Sequence, residues 1–256
     1  MSPWEFGLLV LAGVGAGLVG SIAGLASLIS YPALLATGIP PVTANVSNTV
    51  ALVLNSVGSV SASRPELKGQ GRRLLPLAAA AVLGGIAGAV LLLLTPSEAF
   101  ERIVPFLIAG ASAAILVQRP PRDLAVKGAE HHRAGTHDPW WLPLGTFVVA
   151  IYGGYFGAAA GVLLLAMYLL TTGEGLPRGN AMKNVILGVA NGVAAVGYIV
   201  FTSVAWSAVV PLAIGCLIGG RIGPTVVRRA PQAALRRVIA LTGLGLAVYL
   251  AVEAYG

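Results

Sequence analysis

The sequence predicts an all-α integral membrane protein made of two inverted-topology repeats, each a broken, re-entrant helical segment followed by three transmembrane helices. Three observations carry this prediction. Hydrophobic residues make up 57% of the 256 and charged residues 10%, more apolar surface than a soluble domain of this length needs to bury. A glycine-rich segment leading into an asparagine-dotted helix, Gly20 to Asn55, returns as Gly154 to Asn191, and the pairs Asn48/Asn184 and Asn55/Asn191 are each 136 positions apart. Of the 16 lysines and arginines, all except Arg102 fall in stretches 64–73, 119–139, 171–183 and 221–237.

Apolar segments run over 5–37, 42–63, 74–94, 100–118, 141–170, 178–201, 203–224 and 238–254. Segment 5–37 exceeds the roughly 20 residues of one span and falls short of a full hairpin of two. Two half-helices separated by the glycines between Gly17 and Gly24 fit its length. It opens on Trp4 and Glu5 instead of a basic region, so no removable signal peptide is expected. Segments 42–63, 74–94 and 100–118 read as ordinary spans. The stretch 119–139, with Pro120, Pro121 and Gly128, reads as a polar loop. It divides a first repeat (1–118), a cytoplasmic linker (119–139) and a second repeat (140–256). His131, His132, His137 and Asp138 lie in that linker without regular ligand spacing, so a solvated loop is expected there and no metal site. Segment 141–170 is the second broken one, interrupted at Tyr152-Gly153-Gly154-Tyr155-Phe156-Gly157. The last three segments again read as spans.

Charge decides the topology. If all eight segments crossed, lysine and arginine would divide evenly between the two sides. If 5–37 and 141–170 dip in and return, only six helices cross and the second half is inverted. All four basic stretches then share the cytoplasmic side, leaving Arg102 alone on the other. The positive-inside bias selects the second arrangement. It also accounts for the net charge of +7 without nucleic acid as a partner.

A half-helix presents free N–H groups and partial positive charge at its N-terminus, a seat for an anion. Side chains able to bind one cluster around both breaks: Ser27, Tyr31, Ser47, Asn48, Thr49 and Asn55 in the first repeat, Tyr155, Lys183, Asn184 and Asn191 in the second. Asn48 and Asn55, seven apart, share a helix face, as do Asn184 and Asn191. Amides inside a span are costly unless partnered, so they face the interior. They would line a site or join helices by hydrogen bonds. Lys183 would neutralise a bound anion or snorkel to the headgroups. No aspartate lies within a predicted span, all three histidines lie in the linker, and no H-E-x-x-H pattern occurs. Membrane aspartyl, zinc and serine hydrolases are thereby excluded, and no cofactor is expected. The lone Cys216 supplies no disulfide framework.

Gly84-x-x-x-Gly88, Gly188-x-x-x-Gly192, Gly215-x-x-x-Gly219 and Gly219-x-x-x-Gly223 would serve close helix packing, either internal or in a homodimer. Trp4, Trp140, Trp141 and Trp206 fall near span ends, as interfacial anchors do. Arg221, Arg228, Arg229, Arg236 and Arg237 read as an orientation signal and a contact for anionic membrane lipids.

The order and spacing of these features resemble the TauE/SafE sulfite exporters, also called 4-toluene sulfonate uptake permeases. Gly20 and Pro32 carry the likeness in the first repeat, Gly154, Gly157 and Gly161 in the second, and Gly219-Gly220-Arg221-Ile222-Gly223 near the end. Leu25-Ala26-Ser27 and Ala159-Ala160-Gly161 stand where that family often has three glycines, and Ala166 replaces its second proline. The resemblance implies a secondary transporter of small sulfur-containing anions such as sulfite, sulfoacetate or other organosulfonates in the bacterial inner membrane. Coupling would be to H⁺ or Na⁺. The alternatives are an anion channel, a carrier of another small organic anion, and a non-transporting membrane subunit.

Overall fold

The structure is a computed structural model that describes residues 2–117, 121–133, 138–227, 244–245, 247–252 and 254–255. The described residues are helical and contain no strand. The first half comprises α1 (Pro3–Ala23), α2 (Ser27–Leu35), α3 (Pro41–Ala62), a short α4 (Arg64–Leu67), α5 (Gly71–Leu94) and α6 (Ser97–Val117). After α7 (Pro121–Arg133), the second half comprises α8 (Leu142–Tyr155), α9 (Ala160–Thr171), α10 (Leu176–Phe201) and α11 (Trp206–Val227), with helical turns within 244–255. Among the described residues four helices, α1, α5, α10 and α11, are long and apolar enough to cross a membrane. Several such helices in one chain are what a multi-pass membrane protein requires. Arg228, Arg229, Arg236, Arg237 and His137 lie outside the described residues.

Both long segments break at the expected glycines, but unequally. The second gives half-helices of 14 and 12 residues. The first gives 21 and 9, so α1, about 31 Å long at 1.5 Å per residue, has the length of a whole span. A capping box between Ser2 and Glu5, with proline in the first turn, starts α1 at once. Nothing stops it before Gly24, whose φ of 78° ends it in the left-handed region. The earlier glycines are contact points and not breaks. A Cβ on Gly13 would lie 3.0 Å from the Cys216 nitrogen, and one on Gly17 2.8 Å from the Gly220 nitrogen, both on α11.

Exchange between the halves organises the packing. Helix α1 lies along α11, and α8 lies along α5, so the leading helix of each half rests on a later helix of the other. Glycines permit both approaches: a Cβ on Gly84 would meet that of Ala150 at 2.7 Å, and one on Gly88 the Tyr155 nitrogen at 2.8 Å. Gly84, Gly88, Gly188, Gly215, Gly219 and Gly223 all meet atoms of other helices within the chain, whereas Gly192 faces open space. The close-packing motifs are therefore spent mainly on internal contacts, where backbone approach is the source of van der Waals energy in lipid. Leu75, Leu94, Phe106, Val196 and Phe201 are exposed, as a lipid-facing surface requires. Trp4, Trp140, Trp141 and Trp206 are exposed with them.

The linker is not the plain loop that its prolines suggest. Pro121 suits a helix start, and α7 packs on α9 with Gly128 against Leu169. No cluster of metal-ligating side chains occurs among the described residues. At this end of the molecule Arg73 bonds Asp138 at 2.5 and 3.0 Å and Glu174 at 2.7 Å. Glu174 also receives Gln70 at 2.9 Å and Arg178 at 3.2 Å, and Arg221 donates to Ser61 at 3.1 Å. The connections before α5, α8 and α10 and the end of α11 thus lie together.

Candidate functional site

The two breaks touch. Gly24 lies against Gly161 so closely that a Cβ on Gly161 would stand 2.5 Å from the Gly24 α-carbon. Beside this contact is a cavity of about 30 Å³, the volume of a single water. Its polar lining comes from Ser27, Thr49, Asn55, Ser56, Asn184 and Asn191. Backbone at Gly20, Gly24, Gly153 and Gly157 completes it, with Leu52, Phe156 and Leu187 as apolar walls.

Each break juxtaposes the C-terminus of one helix and the N-terminus of the next, and the chain treats the two kinds of end differently. The C-terminal carbonyls have donors. Lys183 Nζ lies 2.9 Å from Gly20 O and 3.2 Å from Ser21 O, and Asn180 and Asn184 donate to Ser21 O at 2.8 and 3.4 Å. At the other break, Asn45 donates to Tyr155 O at 2.9 Å, and the Tyr198 hydroxyl donates to Gly154 O. Lys183, Asn180 and Asn184 thus cap the first half from the second, and Asn45 does the reverse. The N-terminal ends have no such cover: Ala26 and Ala159 cap α2 and α9 without a side-chain hydrogen bond. Donors thus close the negative ends of α1 and α8, while the positive end of α2 borders the cavity at Ala26 and Ser27.

Five of the ten side chains singled out from the sequence, Ser27, Thr49, Asn55, Asn184 and Asn191, line the cavity. Asn48 stands directly behind it. Its amide donates to Ser27 Oγ at 3.2 Å and its carbonyl oxygen accepts from Ser30 at 2.5 Å, which turns the Ser27 hydroxyl proton away from Asn48. The remaining four lie elsewhere. Lys183, fully buried, neither lines the cavity nor snorkels, because its stem carries the ammonium to the end of α1. Ser47 accepts from the Ala205 backbone at 3.0 Å, tying α3 to the start of α11. Tyr155 turns its ring to Phe100, with centroids 5.9 Å apart. Tyr31 packs edge-on against Phe156 and lines a separate cavity of about 630 Å³ with Pro32, Glu101 and Tyr249. The sequence reading passed over Ser56, adjacent to Asn55 and on the cavity wall. It also passed over the Tyr198 hydroxyl, for which no local sequence signal exists, since its partner is 44 positions away.

Comparison with known proteins agrees with this architecture. The family model described as "Sulfite exporter TauE/SafE" matches residues 9–250. The chain is 24% identical to the "Probable membrane transporter protein YfcA" of Escherichia coli K12, over all of this chain and 93% of that protein. It is 25% identical to the "Probable membrane transporter protein ORF9" of Sinorhizobium sp, over 94% of this chain and 90% of that one. No solved structure matches. With the match running through both broken segments and the helices that cap them, this chain is a membrane transporter that belongs to the sulfite exporter TauE/SafE family.

Proposed function

We propose that this protein is a secondary transporter of small sulfur-containing anions, such as sulfite, sulfoacetate or other organosulfonates, and that the cavity at the meeting of the two breaks is its substrate site. One observation carries the reading: the C-terminal ends at the breaks are closed by buried donors while the N-terminal ends of α2 and α9 have no side-chain cap. Such a site favours negative charge. Ser27, Thr49, Asn55, Asn184 and Asn191 would supply hydrogen bonds to the anion's oxygens, and Asn48 would hold Ser27 in place.

The halves act as inverted repeats in this proposal. The Arg73–Glu174 ion pair supports it by joining connections that a parallel arrangement would put on opposite sides of the membrane. A cavity of about 30 Å³ admits an anion only when the breaks part, as alternating access requires.

Reconstituted protein should take up radiolabelled sulfite or sulfoacetate with saturation, tested beside taurine and acetate. Asn184→Ala and Ser27→Ala each remove one hydrogen bond to a charged ligand, about 1.5–3 kcal/mol. Each should therefore lower transport efficiency by roughly 10- to 100-fold at unchanged membrane levels. Wild-type transport by both variants would remove the site assignment.

A further inference from the structure

We propose that Lys183 carries the coupling proton of this transporter: protonated on the end of α1 while an anion occupies the adjacent cavity, and neutral once the anion has left. The proposal rests on the transport reading above and adds to it the group through which a proton gradient would act.

The placement of Lys183 is unusual in three respects. It is fully buried, seven residues into α10, about 11 Å along the helix from Leu176. Among the described residues its hydrogen bonds run only to backbone, the carbonyls of Gly20 and Ser21. Among the described residues the ion pairs join Arg73 and Arg178 to Asp138 and Glu174, and none includes Lys183. Gly20 also lines the cavity, so the ammonium sits one layer of backbone behind the place proposed for the anion.

Among the described side chains, the ionisable groups on the helices packed against α10 form no ion pair with Lys183. Helix α3 has none, and α1 has Glu5 at its far end. Helices α4 and α5 bring Glu66, Arg64, Arg72 and Arg73; the α7 face brings Asp123 and Lys127. Tyr152 and Tyr168 donate or share their hydroxyls with Ala158 O and Thr146, and Tyr155 turns to Phe100. From α11 come Cys216 and Arg221, the latter bound to Ser61. The hydrogen bonds of Lys183 reach none of them.

An unpaired ammonium removed from water is strongly disfavoured, and the negative end of a helix returns only part of that cost. An anion in the cavity supplies the rest. Proton and anion then raise one another's affinity by the same factor, because linkage is reciprocal. When the anion departs, the charge is stranded; the Nζ–H bond breaks and the proton passes to water, leaving a neutral amine that accepts a proton on the next cycle. One proton moves per anion, and nothing is oxidised or reduced. Within the described spans no aspartate or histidine competes for this role, and the glutamates stand in the first two turns of α1 and α6.

The test uses the full chain in liposomes, with radiolabelled sulfite and sulfoacetate as probes and the membrane potential clamped at zero. Sulfoacetate keeps both acid groups ionised around neutrality, so any proton that moves with it is carried by the protein. Two quantities are read: exchange at equal pH, and accumulation under a pH step of about one unit. With one proton per anion, wild type should accumulate probe about tenfold, since one pH unit is a factor of ten. Lys183→Gln keeps a donor for the α1 carbonyls, and Lys183→Arg keeps the charge without a proton to release. Both should retain exchange, now flat with pH, and lose accumulation.

Tenfold accumulation by K183Q overturns the proposal, as does the absence of wild-type accumulation under the pH step. Loss of exchange in both variants marks Lys183 as purely structural and also overturns it. Absence of wild-type exchange with every anion tested would instead refute the transport reading, and the proposal with it.

Discussion

Replacing Gly24 by alanine should destabilise the protein by about 2–5 kcal/mol, although it adds a single carbon. Two costs add. The residue sits at φ 78°, where a side chain costs roughly 1–2 kcal/mol. The new Cβ would also lie 2.5 Å from the Gly161 α-carbon and 2.7 Å from the Val162 nitrogen, against an optimum of roughly 3.5–4.0 Å between carbons. The neighbours are backbone and cannot rotate away, so the end of α1 and the start of α9 must separate by about 1 Å, and overpacking of this kind costs about 1–3 kcal/mol. At about 2–4 °C per kcal/mol for a chain of this size, the melting temperature of detergent-solubilised protein should fall by about 4–20 °C. Gly192→Ala is the control. A Cβ there meets nothing within 4 Å, and in a helix the change gains up to about 1 kcal/mol. A G24A melting point within about 2 °C of wild type would refute the contact between the breaks on which the site depends.

Two further outcomes follow from the same geometry. Burial alone would raise the Glu174 carboxyl, but hydrogen bonds from Gln70, Arg178 and Arg73, together with the charge of Arg73, outweigh it and hold the group below its ordinary value of 4.5. A depressed carboxylate stabilises above its unfolded pKa and loses that contribution as pH falls through its folded one. The melting-point advantage of wild type over Glu174→Gln, about 1 kcal/mol for a partly exposed network, should therefore be full at neutral pH and fade below about pH 4; an advantage unchanged at pH 3 would contradict the assignment. Ala159 is the one non-glycine residue at positive φ among those described, at 62°. Ala159→Gly should relieve about 1–2 kcal/mol against roughly 0.4–1 kcal/mol of unfolded-state entropy, giving a small net rise in melting temperature; a clear fall would show that the methyl group packs usefully.

Much of this protein was legible in its sequence because a bilayer imposes one-dimensional rules. Spans must be apolar and near 20 residues, breaks need glycine or its equivalent, and amides inside spans must meet partners. The helices of both halves, the breaks at Gly24 and Gly157, and the inward placing of Asn48, Asn55 and Asn184 follow from those rules. The rules do not say which partner an amide meets. Asn48, Asn55 and Asn184 look alike as letters in a repeat, yet Asn48 orients Ser27, Asn55 lines the cavity, and Asn184 does so while reaching Ser21 O. Lys183 could have served anion or headgroup; the exchange of helices between the halves brought the end of α1 within reach of its ammonium. Local pattern determines which groups leave the lipid, because burial is a property of each segment. Which hydrogen bonds they then make depends on contacts between residues more than 150 positions apart, such as Asn180 with Ser21, and only tertiary packing decides those.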